Sequence, residues 1–289
     1  MDPVPELPEV EALARFVAGR AVGRTIAAVA IGNISALKTY SPAPSDLVGR
    51  AVVGVVRHGK WLDLATDGPH LVFHLSRAGW LRWYDAVPAT VVRPGKSPIA
   101  LRLALDDGSG FDLTEAGTRK RLAVHMVERP TDVERVASLG VDPLGPEFTA
   151  ERLGELAAGR NQQVKGLLRD QSLIAGIGNA YSDEILHAAR MSPFALTRSL
   201  SDDDVLRLHG VIREVLSEAL DAAAGRPAAE LKDAKRRGMR VHGRAGEACP
   251  VCGDTVREVS FADSALQYCA TCQTGGKPLA DRRMSRLLR

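Results

Sequence analysis

Short runs in the first half of the chain alternate between apolar and polar residues, as in the stretch Leu101–Leu105. Such alternation predicts strands with one buried face, and glycine and proline separate the runs in the manner of turns. A helical pattern precedes them, with apolar residues at positions 7, 10, 13, 14 and 17, and Pro8 is tolerated in a first helical turn. The pattern predicts one helix followed by a β-sandwich or barrel of about 130 residues. The predicted strands are Thr25–Ile31, Ala51–Arg57, Trp61–Leu64, His70–Leu75, Leu101–Leu105 and Leu122–Val127.

Beyond a stretch rich in glycine and proline at 137–146, the apolar spacing becomes helical. The clearest helix is predicted from Ser201 to Asp221, because Ser201 suits an N-cap and three acids follow it. Its apolar stripe consists of Val205, Leu208, Ile212, Val215 and Ala219. The stripe could bind a partner, but packing within the chain is the commoner use. The fold class is therefore α+β. The predicted divisions are a β-sandwich at 1–134, a linker at 135–146, a helical domain at 147–238, a cysteine-bearing finger at 239–277 and a basic tail at 278–289.

Composition and charge narrow the class of protein. The first residues lack the apolar centre of a signal peptide, and no apolar run approaches the roughly 20 residues of a membrane span. We therefore expect a cytoplasmic protein with no membrane partner. Residues 226–289 carry 13 basic and 7 acidic side chains, a net charge of +6. Because the whole chain has a net charge of +3, residues 1–225 carry a net charge of −3. A basic C-terminal quarter suggests an anionic partner, although charge alone is better explained by a solvated basic face. Arginine supplies 30 of the 38 basic residues, a bias that fits a bacterium with a GC-rich genome.

All four cysteines of the chain lie near its C-terminus, at Cys249, Cys252, Cys269 and Cys272. Two close pairs separated by sixteen residues can present four thiolates to one tetrahedral zinc ion. Two disulfides are the alternative, and a reducing cytoplasm disfavours them. Four cysteine ligands close the coordination sphere, so we predict one structural Zn²⁺ whose binding folds this small segment.

A glycine-rich joint at 176–179 connects two helical patterns. Gly176 and Gly178 permit a tight turn with close backbone approach, and the helix that follows would direct its N-terminal amides outward, where phosphate binds readily. Asn179 adds a side-chain donor. Many such joints only cap helices, so this motif alone is a moderate signal of phosphate binding.

Four segments together resemble the formamidopyrimidine-DNA glycosylase and endonuclease VIII family. They are Pro5–Glu11, Arg57–Leu62, Gly176–Asn179 and the four cysteines, and they follow one another in the family's order. The resemblance implies an N-terminal β-sandwich, a helix–two-turn–helix domain and a zinc β-hairpin finger. It also implies a monomeric base-excision repair enzyme, a DNA glycosylase with AP-lyase activity on double-stranded DNA that contains damaged bases or abasic sites.

The same resemblance assigns roles to individual residues. Pro5 would be the nucleophile that attacks C1′ and forms a Schiff base, and Glu6 the acid and base that assists it. Lys60 and Asn179 would hold phosphates near the lesion, with Lys60 also counted as catalytic, and Glu9 would support the first helix. Taken singly, these residues have simpler explanations: a helix-start proline, first-turn acids and a surface lysine.

Residues 1–4 determine whether the Pro5 nitrogen is available as a nucleophile. When Val4 precedes it, the Pro5 nitrogen is a tertiary amide whose lone pair is delocalised, so it cannot attack. Our hypothesis is that Val4 occupies the place of the initiator methionine, read from a GTG codon, and that residues 1–4 are a start-site artefact.

Other departures from the family pattern affect DNA contacts. The stretch His74–Gly79 stands where a methionine wedge is usual and carries Arg77 instead, and Arg121, near Arg119, stands close to an expected phenylalanine. These arginines could fill a void, pair with an orphaned base, contact phosphate or lie on the surface. Ser264 stands where the finger's phosphate-binding arginine is expected. The segment 231–240 is shorter than the loop that caps oxidised purines, so 8-oxoguanine is not the expected substrate.

The leading prediction is therefore a glycosylase with lyase activity. The alternative is a non-catalytic or lyase-poor zinc-finger protein that binds abasic or distorted DNA. A zinc-finger protein that does not bind DNA is a weaker third.

Overall fold

The computed structural model describes residues 5–95, 98–116, 120–261 and 264–280. The chain forms two compact units. Unit 1 consists of Met1–Leu139 with Ala223–Ala234, and unit 2 of Gly140–Ala222 with Lys235–Arg289. Among the described residues, no helix is long and apolar enough to cross a membrane.

Unit 1 begins with helix α1, Leu7–Ala21, which buries the apolar face that its sequence predicts: Leu7, Val10, Leu13 and Val17 are all at most 2% exposed. Two four-stranded antiparallel sheets follow, with strand orders β1-β6-β7-β5 and β2-β3-β4-β8. The strands are β1 Ile26–Ile31, β2 Val52–His58, β3 Trp61–Thr66, β4 His70–His74, β5 Gly79–Tyr84, β6 Ile99–Leu105, β7 Gly110–Glu115 and β8 Ala123–Val127.

The two sheets share one apolar core, which confirms the predicted sandwich. Phe73 of β4 and Phe111 of β7 place their ring centroids 6.2 Å apart between the sheets, and both rings are buried. The six predicted strands are confirmed. Strands β5 and β7 were not predicted; in β7 only two apolar residues, Phe111 and Leu113, mark the strand, and buried acids lie beside them at 112 and 115. One of these acids, Asp112, pairs with the buried Arg102, with Nε and Oδ1 2.7 Å apart.

Unit 2 contains the helical domain and the finger. After the short helix α2, Glu134–Ala137 of unit 1, come α3 Ala150–Ala158, α4 Val164–Arg169, α5 Asn179–Ala188, α6 Asp202–Ala223 and α7 Leu231–Gly238. The first half of α7, up to Ala234, is assigned to unit 1 and the second half to unit 2. The finger consists of β9 Val256–Ser260, β10 Ala265–Cys269 and α8 Ala270–Thr274. Strands β9 and β10 form an antiparallel hairpin in which Ser260 pairs with Ala265.

Helix α6 confirms the predicted N-cap. The Ser201 hydroxyl accepts the Asp204 backbone N–H at 3.2 Å, and Asp204 accepts the Ser201 N–H in return. The helix buries every fourth residue, and this buried row differs from the predicted stripe. That row consists of Leu208, Ile212, Leu216 and Leu220.

Candidate nucleic-acid interface and metal centre

The start of α1 holds two buried carboxyl groups next to Pro5. Glu6 and Glu9 are each 2% exposed, and Glu9 Oε2 accepts the backbone N–H of Glu6 at 2.9 Å. Pro5 is itself buried. The chain therefore enters the helix with the backbone of Glu6 fixed, and the nitrogen of Pro5 is one residue away from a buried carboxyl group.

A two-residue turn carries Lys60 between β2 and β3. His58 pairs with Trp61 across the turn, and Gly59 adopts a φ of +56°, in the left-handed region that glycine enters without steric cost. A half-buried Lys60 follows. The sequence thus fixes the lysine at the tip of a rigid hairpin.

Arg57 connects this hairpin to α1. Its guanidinium donates from Nε to Glu11 Oε2 at 2.9 Å, and from Nη1 to the carbonyl oxygen of Gly59 at 3.2 Å. The Arg57 side chain is only 7% exposed, so solvent weakens the ion pair little. The helix that begins at Glu6 and the turn that presents Lys60 are therefore held in a fixed relation within unit 1.

His74 ends β4 as a neutral imidazole. Its Nδ1 accepts the backbone N–H of Ser76 at 3.0 Å, which leaves the ring hydrogen on Nε2. Burial, with the positive charges of Lys60 and Arg135, lowers the pKa of His74 to about 4. The ring also packs on Trp61, with centroids 4.9 Å apart. His74 therefore offers an uncharged donor near Lys60 at neutral pH.

The loops that carry Arg77 and Arg121 are joined by Ser76. Its hydroxyl donates to the Arg121 carbonyl oxygen at 2.7 Å, and Ser76 has a φ of +56°, unusual for a residue with a side chain. Glu115 Oε1 accepts the backbone N–H groups of Arg121 and Leu122 at 2.6 and 3.0 Å. Both arginine side chains are exposed on these fixed loops. The predicted Arg119 lies outside the described residues.

In unit 2, α5 begins at Asn179 after the glycine turn, in which Gly176 has a φ of +97°. The Asn179 amide donates from Nδ2 to the carbonyl oxygen of Ala265 at 2.8 Å. Ala265 follows Ser264, whose carbonyl oxygen accepts the Phe261 N–H at 2.7 Å. The structure thus brings two predicted contacts, Asn179 and Ser264, to the turn end of the same hairpin, where one N–H of the asparagine amide is already used.

The four cysteines converge. Their Sγ atoms all lie within 4.8 Å of one another, and the shortest separation, 3.3 Å between Cys252 and Cys269, exceeds the roughly 2.05 Å of a disulfide. Burial raises the pKa of the Cys269 thiol to about 11, so a thiolate there needs a cation. Four sulfur donors would fill the tetrahedral coordination sphere of zinc and leave no position open for a substrate, so the site fits a structural zinc ion.

A buried polar network, which no motif in the sequence predicts, lies between α5 and the finger. Glu184 accepts three backbone N–H groups, from Arg240 at 2.8 Å, Val241 at 2.9 Å and His242 at 2.8 Å. Burial raises the pKa of Glu184, and these donors oppose that rise. Asp183 accepts from Lys165 Nζ at 2.5 Å and from His242 Nδ1 at 2.8 Å. The only local signal is two adjacent acids in a helix that carries no other acid.

Comparison with known proteins agrees with this architecture. Three family models match: the formamidopyrimidine-DNA glycosylase N-terminal domain over 4–124, the formamidopyrimidine-DNA glycosylase H2TH domain over 139–228, and the zinc finger found in FPG and IleRS over 246–275. A formamidopyrimidine-DNA glycosylase of Symbiobacterium thermophilum is 37% identical over 294 residues, which cover 97% of this chain and 93% of the relative. An uncharacterized formamidopyrimidine-DNA glycosylase-like protein of Mycobacterium tuberculosis is 57% identical over 152 residues, 53% of this chain and 95% of its own length.

Solved structures give the same result. The MutM (Fpg) protein of Thermus thermophilus superposes with a TM-score of 0.79 at 29% identity, covering 95% of this chain and all of that one. A mutant Fpg of Lactococcus lactis, in complex with DNA containing Fapy-dG, gives a TM-score of 0.81 at 26% identity and covers 93% of this chain and 100% of its own. The fold and the site thus define a DNA glycosylase with AP-lyase activity, with one structural zinc. The chain belongs to the formamidopyrimidine-DNA glycosylase family.

Proposed function

We propose that this protein excises damaged bases from double-stranded DNA and cleaves the resulting abasic strand through a Schiff base on Pro5. The observation that carries the proposal is the fixed arrangement in unit 1 of Pro5, the buried Glu6 and the Lys60 turn, joined through Arg57. Solved Fpg complexes contain DNA with Fapy-dG or with an abasic site, which supports the same substrate classes for this chain.

The chemistry requires Pro5 to be the first residue of the mature chain. Its secondary amine, with an α-amino pKa of about 7.7–8.0, is partly unprotonated at neutral pH. The nitrogen lone pair attacks C1′, the bond from C1′ to the base breaks, and the base leaves with the bonding electrons and a proton. Ring opening then gives a protonated Schiff base, from which proton abstraction at C2′ eliminates the 3′ phosphate.

Glu6 is the group placed to move these protons. As an acid it protonates the sugar ring oxygen as the ring opens, and as a base it accepts a proton released by the amine. Its carboxyl group is buried, and the hydrogen bond to Glu9 fixes the Glu6 backbone directly after Pro5, which supports this role. Lys60 supplies a positive charge for a phosphate near the lesion, and the neutral His74 supplies a hydrogen-bond donor to the DNA.

The remaining contacts point to an atypical substrate preference. Arg77 and Arg121 would meet the DNA from loops that Ser76 joins, and guanidinium groups can pair with guanine edges as well as with phosphates. Asn179 and Ser264, at the turn end of the finger hairpin, would contact the lesion strand. The segment 231–240 is shorter than the loop that caps oxidised purines in the family, which supports a base other than 8-oxoguanine as the preferred target. The enzyme would act as a monomer on the nucleoid, in the cytoplasm of a bacterium with a GC-rich genome.

Borohydride trapping tests the nucleophile. One form of the protein begins at Met1; in the other, methionine replaces Val4, and its removal exposes Pro5. We expect only the second form to yield a covalent adduct on an abasic duplex, with the adduct mapping to Pro5. Glu6→Gln should slow trapping by about 100-fold or more, since general acid–base catalysis contributes about 10²–10⁴-fold. Pro8→Gly, a matched change in the same helical turn, should leave trapping intact.

Two outcomes would contradict the proposal. One is an adduct that maps to Lys60 or forms equally well in the form that begins at Met1. The other is tight binding of abasic DNA with no adduct from the form that begins at Pro5, which would establish the lyase-poor binding protein instead. Mass spectrometry of the endogenous protein gives its N-terminus directly, and a mature chain that begins at Met1 or Asp2 would refute the start-site hypothesis.

A further inference from the structure

A histidine of α5 touches the zinc-binding cluster. His187 is 2% exposed, and its Nε2 lies 3.3 Å from Cys249 Sγ. The other ring nitrogen, Nδ1, is buried with no hydrogen-bond partner among the described residues. The imidazole is not one of the four converging ligands, so its contact with the metal site passes through the cysteine sulfur.

The position of the ring hydrogen follows from the chemistry of the cysteine. A zinc-bound cysteine is a thiolate and has no hydrogen to donate. The hydrogen shared at 3.3 Å must therefore be on Nε2, and His187 is the donor. A hydrogen on Nδ1 would be buried without an acceptor, which is unfavourable, so Nδ1 keeps its lone pair and the ring is neutral.

His187 also completes a row on α5. Asn179, Asp183 and His187 are four residues apart and so lie on one face of the helix. Each contacts the finger: Asn179 donates to the Ala265 carbonyl, Asp183 accepts the Gln267 N–H at 3.2 Å, and His187 meets Cys249. The helix that begins at the phosphate-binding turn is thus attached to the finger along its whole length, and the last attachment is to a metal ligand.

We propose that His187 is a positioning residue of the zinc site: its Nε2–H donates a hydrogen bond to the zinc-bound thiolate of Cys249, slows loss of the metal and ties α5 to the finger. A hydrogen bond to a ligand atom orients it and withdraws electron density from it, and loss of such partners typically costs 10–100-fold in metal affinity. The inference depends on the zinc site alone, so its test is separate from that of the Pro5 chemistry.

The test uses the full-length protein loaded with zinc or with cobalt(II). His187→Phe keeps a flat ring of similar size and removes the donor, whereas His187→Gln retains an amide N–H. We expect His187→Phe to release zinc to a chromogenic chelator about tenfold faster than the parent. In the cobalt form, its sulfur-to-metal charge-transfer band should move to longer wavelength, because the thiolate has lost a stabilising hydrogen bond. His187→Gln should restore both properties towards the parent.

His209→Phe is the matched control, since His209 also lies on a helix of unit 2 but donates from Nε2 to the Phe148 carbonyl oxygen at 2.9 Å. It should change neither the release rate nor the spectrum. Zinc release from His187→Phe within twofold of the parent, or equal release from the Phe and Gln variants, would overturn the proposal. Should His187→Phe fail to fold, nitrogen-15 NMR of the parent decides instead: the Nε2–H tautomer supports the proposal and the Nδ1–H tautomer refutes it.

Discussion

Glu184 offers the most direct test of how the finger is attached to the helical domain. Its carboxylate is 4% exposed and accepts the backbone N–H groups of three consecutive residues, Arg240, Val241 and His242. These residues lead from α7 into the finger. Glu184→Ala removes the acceptor for all three groups, and Glu184→Gln keeps one amide oxygen but places an NH₂ group against a donor.

The magnitude follows from the burial of the three amides. Val241 is fully buried, whereas Arg240 is exposed and His242 partly so. A hydrogen bond to a charged group contributes about 1.5–3 kcal/mol, and a buried amide left without an acceptor costs about 1–3 kcal/mol. Water can serve as a replacement acceptor only for the N–H groups of residues 240 and 242, which are not fully buried. We therefore expect the free energy of unfolding of unit 2 to fall by about 4 kcal/mol in Glu184→Ala and by about 2 kcal/mol in Glu184→Gln.

Native-state hydrogen exchange measures this effect where it occurs. The amides of residues 240–242 should lose protection, and urea unfolding followed by far-ultraviolet circular dichroism should shift to lower denaturant concentration. All three tryptophans, Trp61, Trp80 and Trp83, belong to unit 1, so their emission shows independently that unit 1 is folded. Glu214→Ala, an exposed change on α6, serves as the control and should alter stability by no more than about 0.5 kcal/mol.

A Glu184→Ala protein whose stability matches that of Glu214→Ala would refute this role of Glu184. Protected amides at 240–242 in that variant would refute it equally, since they would show that another acceptor holds the segment.

Three further predictions concern unit 1 and the metal. Asp112→Ala leaves the buried Arg102 guanidinium without its carboxylate and should destabilise unit 1 by about 3–5 kcal/mol. Tryptophan emission in urea measures the change, and a loss of stability below about 1 kcal/mol would contradict the prediction. The unfolded chain protonates His74 near pH 6.5, whereas the folded chain does so only near pH 4, so stability falls as the pH drops through this interval, by roughly 3 kcal/mol at most. His74→Gln should lose that part of the acid sensitivity, and an unchanged pH profile would count against a neutral buried imidazole. Removal of zinc by a chelator should abolish exchange protection in β9 and β10 while tryptophan emission stays constant; persistent protection would show that the hairpin folds without metal.

The sequence predicts those elements whose burial is periodic. Helix α1 and the six predicted strands place residues at periodic positions in one core, so apolar spacing alone locates them. Strand β7 was missed because only Phe111 and Leu113 mark it, and because Asp112 and Glu115 are buried only with the help of Arg102 and of the backbone at 121–122. Side chains from distant parts of the chain determine that burial, and no local pattern reports it.

The residues of the candidate site likewise fall into those that the sequence predicts and those that it does not. The cysteine ligands could be predicted, because their spacing is itself the geometric requirement for a tetrahedral metal. The role of Glu184 could not be predicted, since its backbone partners lie 56–58 residues away. Every residue except proline has a backbone N–H group, so the residue types at 240–242 give no signal. The link from Ser76 to the Arg121 carbonyl is also invisible in sequence, as it joins a side chain to the backbone across 45 residues.

The row of contacts along α5 restricts where the chain can change length. One added residue rotates everything beyond it by about 100° around the helix axis, so an insertion between Asn179 and His187 would turn at least one contact away from the finger. The backbone just before Cys249 is restricted as well, since Gly246 donates to the Val256 carbonyl oxygen and Glu247 accepts the Val256 N–H. Reporter groups or grafted segments intended to leave zinc binding intact belong instead in the exposed turn at 224–225 that follows α6, where no such pairing exists among the described residues.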